Sequence, residues 1–195
     1  MCGCIHVEKL GGTVPSQTVN GIVYPSVTEI IGSTLSKGPG YENWLATKGW
    51  KVCKSISRKA GSRGTKIHDV LRRTIKNERI PKKYKTYSED FKSNLHDKEV
   101  MLSETPLISE EYGFSGTPDL VYRKDGMTIL VDLKTGALRK EVEAQFGGYE
   151  ILLREKGTSV ERVEVWSTKD GFRVVPYASR PDIFLALLEI YKWRM

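Results

Sequence analysis

The sequence predicts an α/β (α+β) chain whose first half is helical and basic and whose second half carries the strands. Three observations predict it. Residues 119–123 (DLVYR) and 127–133 (MTILVDL), rich in β-branched and apolar side chains, flank Asp125-Gly126, the strongest short hairpin signal. Residues 41–59 and 64–77 read as two basic helices that part near Gly61-Ser62. Ile183, Leu187, Ile190 and Tyr191 recur at helical spacing across residues 182–193.

The elements follow in order. Residues 1–23, with several glycines and polar residues, predict a loose strand or loop. A helix starts after Pro25, with Ser26 as cap and Glu29 three residues on completing a capping box. Ser36-Lys37-Gly38-Pro39-Gly40 breaks it before the two basic helices. Pro81 precedes a polar helix at about 87–100, and Glu104 to Ser109 predicts a first strand. After the hairpin of 116–134 comes a helix over 140–156, ended by Gly157. A second hairpin, 160–167 and 172–177, turns at Lys169-Asp170-Gly171, and the helix of 182–193 packs on the sheet.

A chain of 195 residues is long enough for one domain with a real core. No apolar run approaches the ~20 residues needed to span a bilayer, so no membrane partner is expected. The first twenty residues carry neither a signal-peptide core nor an Arg-rich transit pattern, so an intracellular protein is the expectation. The net charge of +7 conceals an asymmetry: residues 37–85 hold 15 Lys and Arg against 3 acids, while the remainder holds 16 against 21. A basic surface upstream of an acidic hairpin attracts polyanions, with binding that weakens as salt rises.

The hairpin carries the chemistry. If Asp125-Gly126 is a two-residue turn, Lys124 pairs with Met127 and Asp119 falls opposite Asp132. Directly opposed residues share one face with Cβ atoms ~4.5–5.5 Å apart, a costly place for two like charges unless a cation sits between them. Lys134, two residues past Asp132, points to the same face. Two carboxylates converging on a hard divalent cation, with an ammonium beside them, suit metal-assisted phosphodiester hydrolysis.

Asp119 followed by Asp132-Leu133-Lys134 resembles the signature of the PD-(D/E)XK nucleases, and Pro118-Asp119 preserves its first dipeptide. Arg63-Gly64-Thr65-Lys66-Ile67-His68 resembles the RGTxxH helix motif of the RecB-like branch, and Gln145 to Tyr149 its QxxxY motif. Pro25-Ser26-Val27-Thr28 is similar to the PSVT segment of the mitochondrial genome-maintenance exonuclease and related phage exonucleases. The resemblance spans residues 24–149 and implies a restriction-endonuclease-like core. In it a central mixed β-sheet is flanked by helices and preceded by an N-terminal helical cap. The whole chain would then be one nuclease domain, with a basic, DNA-binding helical part at about 24–100 and a catalytic sheet core at about 101–195.

The resemblance also implies roles. Asp119 and Asp132 would bind Mg²⁺ or Mn²⁺, with His68 and Glu104 completing the metal shell; Glu110 and Glu111 rival Glu104. Lys134 would orient the attacking water, and Gln145 and Tyr149, sharing a helix face, would hold Lys134 or a DNA phosphate. Arg63 is a candidate phosphate clamp, with Lys66 beside it in the same motif. Ser26 and Thr28 could bind a phosphate or simply cap a helix; Trp44 and Trp50 could stack on unpaired bases or pack in the core. Gly147-Gly148 inside a helix suggests close approach of another backbone or of DNA.

Some RecB-type relatives hold an iron–sulfur cluster with one cysteine before the core and three after it. With Cys2, Cys4 and Cys53 only, no iron–sulfur cluster of that kind is expected, although Cys2-Gly3-Cys4 could bind a soft metal. The expected activity is a DNA exonuclease acting on single strands or duplex ends. A structure- or sequence-specific endonuclease and a non-catalytic DNA-binding module on the same fold are the alternatives. No GxxxxGK[ST] motif supplies a motor, so a helicase or recombinase is a candidate partner besides DNA. A phage or prokaryotic origin suits the compact length.

Overall fold

A computed structural model describes residues 16–195. The cysteine pair at 2 and 4 and most of the predicted N-terminal strand or loop lie outside the described residues. Residues 16–24 form a small antiparallel hairpin of β1 (Gln17–Val19) and β2 (Ile22–Tyr24). Helix α1 (Val27–Thr34) carries the predicted capping box: Glu29 N–H donates to Ser26 Oγ at 3.1 Å, and the Glu29 carboxylate reaches back to the Ser26 N–H.

Helix α2 (Pro39–Lys48) stops at Gly49, whose positive φ of 78° only glycine adopts readily. Helix α3 (Trp50–Ile75) then runs unbroken for 26 residues. The predicted break at Gly61-Ser62 does not occur, because Gly61 and Gly64 each cost a helix only ~1 kcal/mol and the flanking turns outweigh them. A 3₁₀ turn at Lys82–Tyr84 leads into α4 (Lys85–Leu95).

The strands are β3 (Glu99–Ser103), β4 (Leu107–Ser109), β5 (Phe114–Gly116), β6 (Leu120–Lys124) and β7 (Met127–Lys134). Helix α5 (Glu141–Glu155), strands β8 (Arg162–Ser167) and β9 (Arg173–Pro176), and α6 (Pro181–Arg194) complete the chain. Residues 99–103, expected to end a helix and lead to a strand at 104–109, form an edge strand paired to β6. Glu104 itself lies outside any strand, with a φ of 46°.

The protein is a mixed α/β structure built on a five-stranded sheet in the order β3-β6-β7-β8-β9. All pairs are antiparallel except β7 and β8, which α5 connects as a crossover. Strand β7 is apolar on both faces and is accordingly buried by helices on both. Ile129, Val131 and Leu133 face α3 and α4, where Ile67, Val70, Leu71 and Phe91 cover them. Leu130, with Val121, Val163 and Val165, faces α1, α5 and α6 through Val27, Ile30, Phe146, Leu152 and Phe184.

The N-terminal helices therefore divide. Helix α1 and the second half of α3 pack on the sheet, whereas α2 and the first turns of α3 form the cap. From Pro39 to Lys66 Cys53 is the one buried side chain, its thiol against the Trp44 carbonyl at 3.5 Å. Among the described residues no helix is long and apolar enough to cross a membrane.

Candidate functional site

The β6–β7 register follows the Asp-Gly turn as expected, with Lys124 opposite Met127 and Leu120 opposite Val131. Pairing stops there. Asp119 lies one residue beyond β6, and Asp132 pairs instead with Val165 of β8. Freed from the ladder, the Asp119 carboxylate accepts the Leu133 N–H through Oδ2 at 2.7 Å. The Asp119 carbonyl accepts the Glu104 N–H at 3.1 Å.

Asp132 and Lys134 share one face of β7, as alternation requires, and that face meets α5. Lys134 Nζ lies 2.8 Å from Asp132 Oδ2 and donates to Gln145 Oε1 at 2.9 Å. Gln145 Nε2 donates to Asp132 Oδ1 at 2.8 Å and to Tyr149 Oη at 3.1 Å. A single amide thus holds the lysine and the carboxylate together. The Lys134 ammonium faces the buried Asp132 Oδ2, so both oxygens of this carboxylate have a cationic or N–H partner. Tyr149 is seated by Gly116 of β5: a Cβ there would lie 2.9 Å from the tyrosine ring and 2.8 Å from Leu152.

His68 enters from α3, where Ile67, Val70 and Leu71 anchor its helix to the opposite face of the sheet. Its Nδ1 lies 2.9 Å from Asp119 Oδ1. Burial works against the imidazolium, but the charge and hydrogen bond of Asp119, then Asp132 and Glu104, outweigh it and raise the pKa to about 9. Burial alone would lift Asp119; the facing His68 and the Leu133 N–H hold it below the usual carboxylate range. Asp132 goes the other way, lifted by burial and by Asp119 although Lys134 opposes both. Burial also opposes the Lys134 ammonium, yet Asp132 and Asp119 hold its pKa above the usual value.

The Glu104 carboxyl is pushed up by burial and then by the charge of Asp119. Glu110 and Glu111 stand exposed in the turn between β4 and β5. Of the three glutamates the sequence offers, Glu104 is the one tied to Asp119, through its backbone N–H. Its left-handed φ is uncommon for a residue with a Cβ, and such positions concentrate at functional sites.

Among the described residues no three His, Cys, Asp or Glu side chains stand ready-grouped around a metal position. His68 and Lys134 instead neutralise the two aspartates. The donor set nonetheless suits a hard cation in part: two carboxylates, a histidine against one of them, and a glutamate whose backbone bonds the same aspartate. Cation binding would compete with the His68 proton.

The candidate DNA contacts divide. Ser26 is buried and its hydroxyl is spent on capping and on Thr28 Oγ1 at 3.2 Å, so it does not face a ligand. Thr28 lines an open cleft beside Lys134. The Arg63 guanidinium is not a free phosphate clamp; it donates to the Thr135 carbonyl just past β7 and ties the cap to the site. Lys66 is exposed on α3. Trp50 is 62% exposed with Lys54 over its ring, and Trp44 is half-buried against Tyr41, so neither is core. The sequence did not point to Gly116 as the seat of Tyr149, nor to Lys37 and Arg139 on the cleft rim; only long-range packing brings these together.

No family model and no curated protein matches this sequence. Among solved structures it is similar to one described as the crystal structure of SSO0001. The two share 13% identity over 87% of this chain and 75% of that chain, with a TM-score of 0.46.

Proposed function

We propose that this chain is a metal-dependent deoxyribonuclease of the PD-(D/E)XK type, in its RecB-like branch, working as an exonuclease on free DNA ends or single strands. The observation that carries the proposal is the Gln145 amide bridging Lys134 and Asp132 beside Asp119. Asp132 and Lys134 of one motif are joined through Gln145 of another, and Asp119 of the first motif accepts the N–H of Leu133, the residue between them. Asp119 and Asp132, with His68 and Glu104 in reach, would hold Mg²⁺ or Mn²⁺. A bound divalent ion supplies an acidified water and screens charge on a phosphodiester.

The protein's own groups do the rest. Lys134, fixed by Gln145 and Asp132, points an ammonium at the charge that builds on the phosphoryl oxygens, and such preorganised charge is effective in a half-buried site. Gln145 and Tyr149 restrain that ammonium. The basic α3 and the cap position the strand through its phosphates, without reading sequence.

The test is incubation of end-labelled single-stranded, duplex and closed circular DNA with Mg²⁺ or Mn²⁺, with Asp132→Ala as control. Cleavage confined to substrates with ends and lost in the variant supports the reading, whereas cutting of closed circles makes the protein an endonuclease. A second reading is a non-catalytic DNA-binding module. It is favoured by the internal neutralisation of both aspartates, and binding without cleavage in either metal would establish it.

A further inference from the structure

A cleft of about 290 Å³ opens beside Lys134 and Gln145, lined by α1 and α5. Ile31 and Leu35, from α1 and its C-cap, and Val142 from α5 give it an aliphatic lining. Its rim carries Lys37 and Arg139 against a single acid, Glu141. Gly32 lies in its wall, where a Cβ would meet nothing within 4 Å.

Size, charge and position agree on one kind of occupant. The volume lies at the low end for small-molecule pockets and has no room for a duplex. Aliphatic walls suit the face of a flat base, and flanking cations suit its phosphates. The cleft is also continuous with the ammonium assigned to the scissile phosphate. We propose that it holds one unpaired nucleotide of the substrate strand, with the base against Ile31, Leu35 and Val142 and the sugar–phosphate toward Lys37 and Arg139.

This rests on the nuclease reading and adds substrate class to it. A base still paired in a duplex cannot enter, so the reacting end must be single-stranded or frayed. Aliphatic contacts do not read a base edge, so little base preference follows.

The test is binding in EDTA, so that it does not depend on turnover. A fluorescent oligothymidylate and a strand of equal length built from abasic residues carry the same phosphates and differ only in bases. Wild-type protein should bind the thymidine strand about tenfold more tightly, within the range of a single base contact. Gly32→Leu fills the cleft from a helical position with free space, and should bring the thymidine strand down to the abasic one while melting like wild type. Lys37→Ala with Arg139→Ala should weaken both strands equally.

Equal wild-type affinity for the two strands would overturn the proposal, as would an undiminished preference in folded Gly32→Leu. Cleavage by a protein that binds the thymidine and abasic strands equally would remove this inference and leave the nuclease reading intact. A Gly32-dependent preference without cleavage would do the reverse.

Discussion

Replacing Gly147 with alanine should destabilise the protein, although alanine is the better helix former. Gly147 lies inside α5, where the loop into α6 crosses it. A Cβ built there falls 2.3 Å from the Arg180 carbonyl oxygen, 2.4 Å from its carbon and 2.6 Å from Pro181 N. Ordinary contact begins near 3.4 Å, so backbone must retreat by about 1 Å. That backbone cannot yield cheaply: Arg180 N–H donates to the Glu143 carbonyl at 2.9 Å, and Phe184, Leu187 and Leu188 anchor α6 in the core.

Overpacking of this kind costs ~1–3 kcal/mol, and a backbone clash belongs at the upper end. The gain in helix propensity returns ~1 kcal/mol. The net of about 2 kcal/mol should lower Tm by about 4–8 °C in a domain of this size. Two other glycines calibrate the measurement by calorimetry or circular dichroism. Gly148→Ala meets side chains, Val27 Cγ2 at 2.8 Å and the Phe184 ring at 3.0 Å, and should lose less. Gly61→Ala, in exposed α3 with nothing near, should gain about 1 kcal/mol. A Gly147→Ala protein melting at or above wild type would refute the reasoning.

Three further outcomes are expected. In metal-free buffer, His68 titrates near pH 9 when folded against about 6.5 unfolded. Its pairing with Asp119 therefore stabilises fully below pH 6.5 and fades as pH rises through 9, by at most about 3 kcal/mol. Wild type should lose Tm between pH 6.5 and 9.5 by more than His68→Gln does, and equal losses would contradict the assignment. Gln145→Leu should lower turnover about 10–100-fold by releasing Lys134 and should shift the pH–rate profile; a variant with wild-type rates would mean that the amide only packs. Lys59→Ala or Lys66→Ala should each reduce the slope of log affinity against log salt by about 0.7 for single strands, equally for all sequences. Unchanged slopes in salt titrations would place the DNA elsewhere.

Much of the site was legible because it depends on local geometry. A two-residue Asp-Gly turn dictates its register, alternation puts Asp132 and Lys134 on one face, and a spacing of four puts Gln145 and Tyr149 on another. The capping box at Ser26 and Glu29 and the second hairpin were readable for the same reason. The helix predicted to about residue 100 overran the start of β3, whose identity as a strand comes from pairing with β6, and the α3 break was misread because single glycines rarely decide a long helix.

The sequence by itself determined the hairpin, the helical periods, the charge asymmetry and the order of the motifs, all set by neighbours within a few residues. The tertiary structure alone decided the contact of His68 with Asp119 across 51 residues. It also set the Glu104 N–H on the Asp119 carbonyl while leaving Glu110 and Glu111 exposed, turned Arg63 inward to Thr135, and placed the backbone at the start of α6 against Gly147. Each of these depends on which distant surfaces pack together, and packing is settled by burial summed over the whole chain rather than by any local signal.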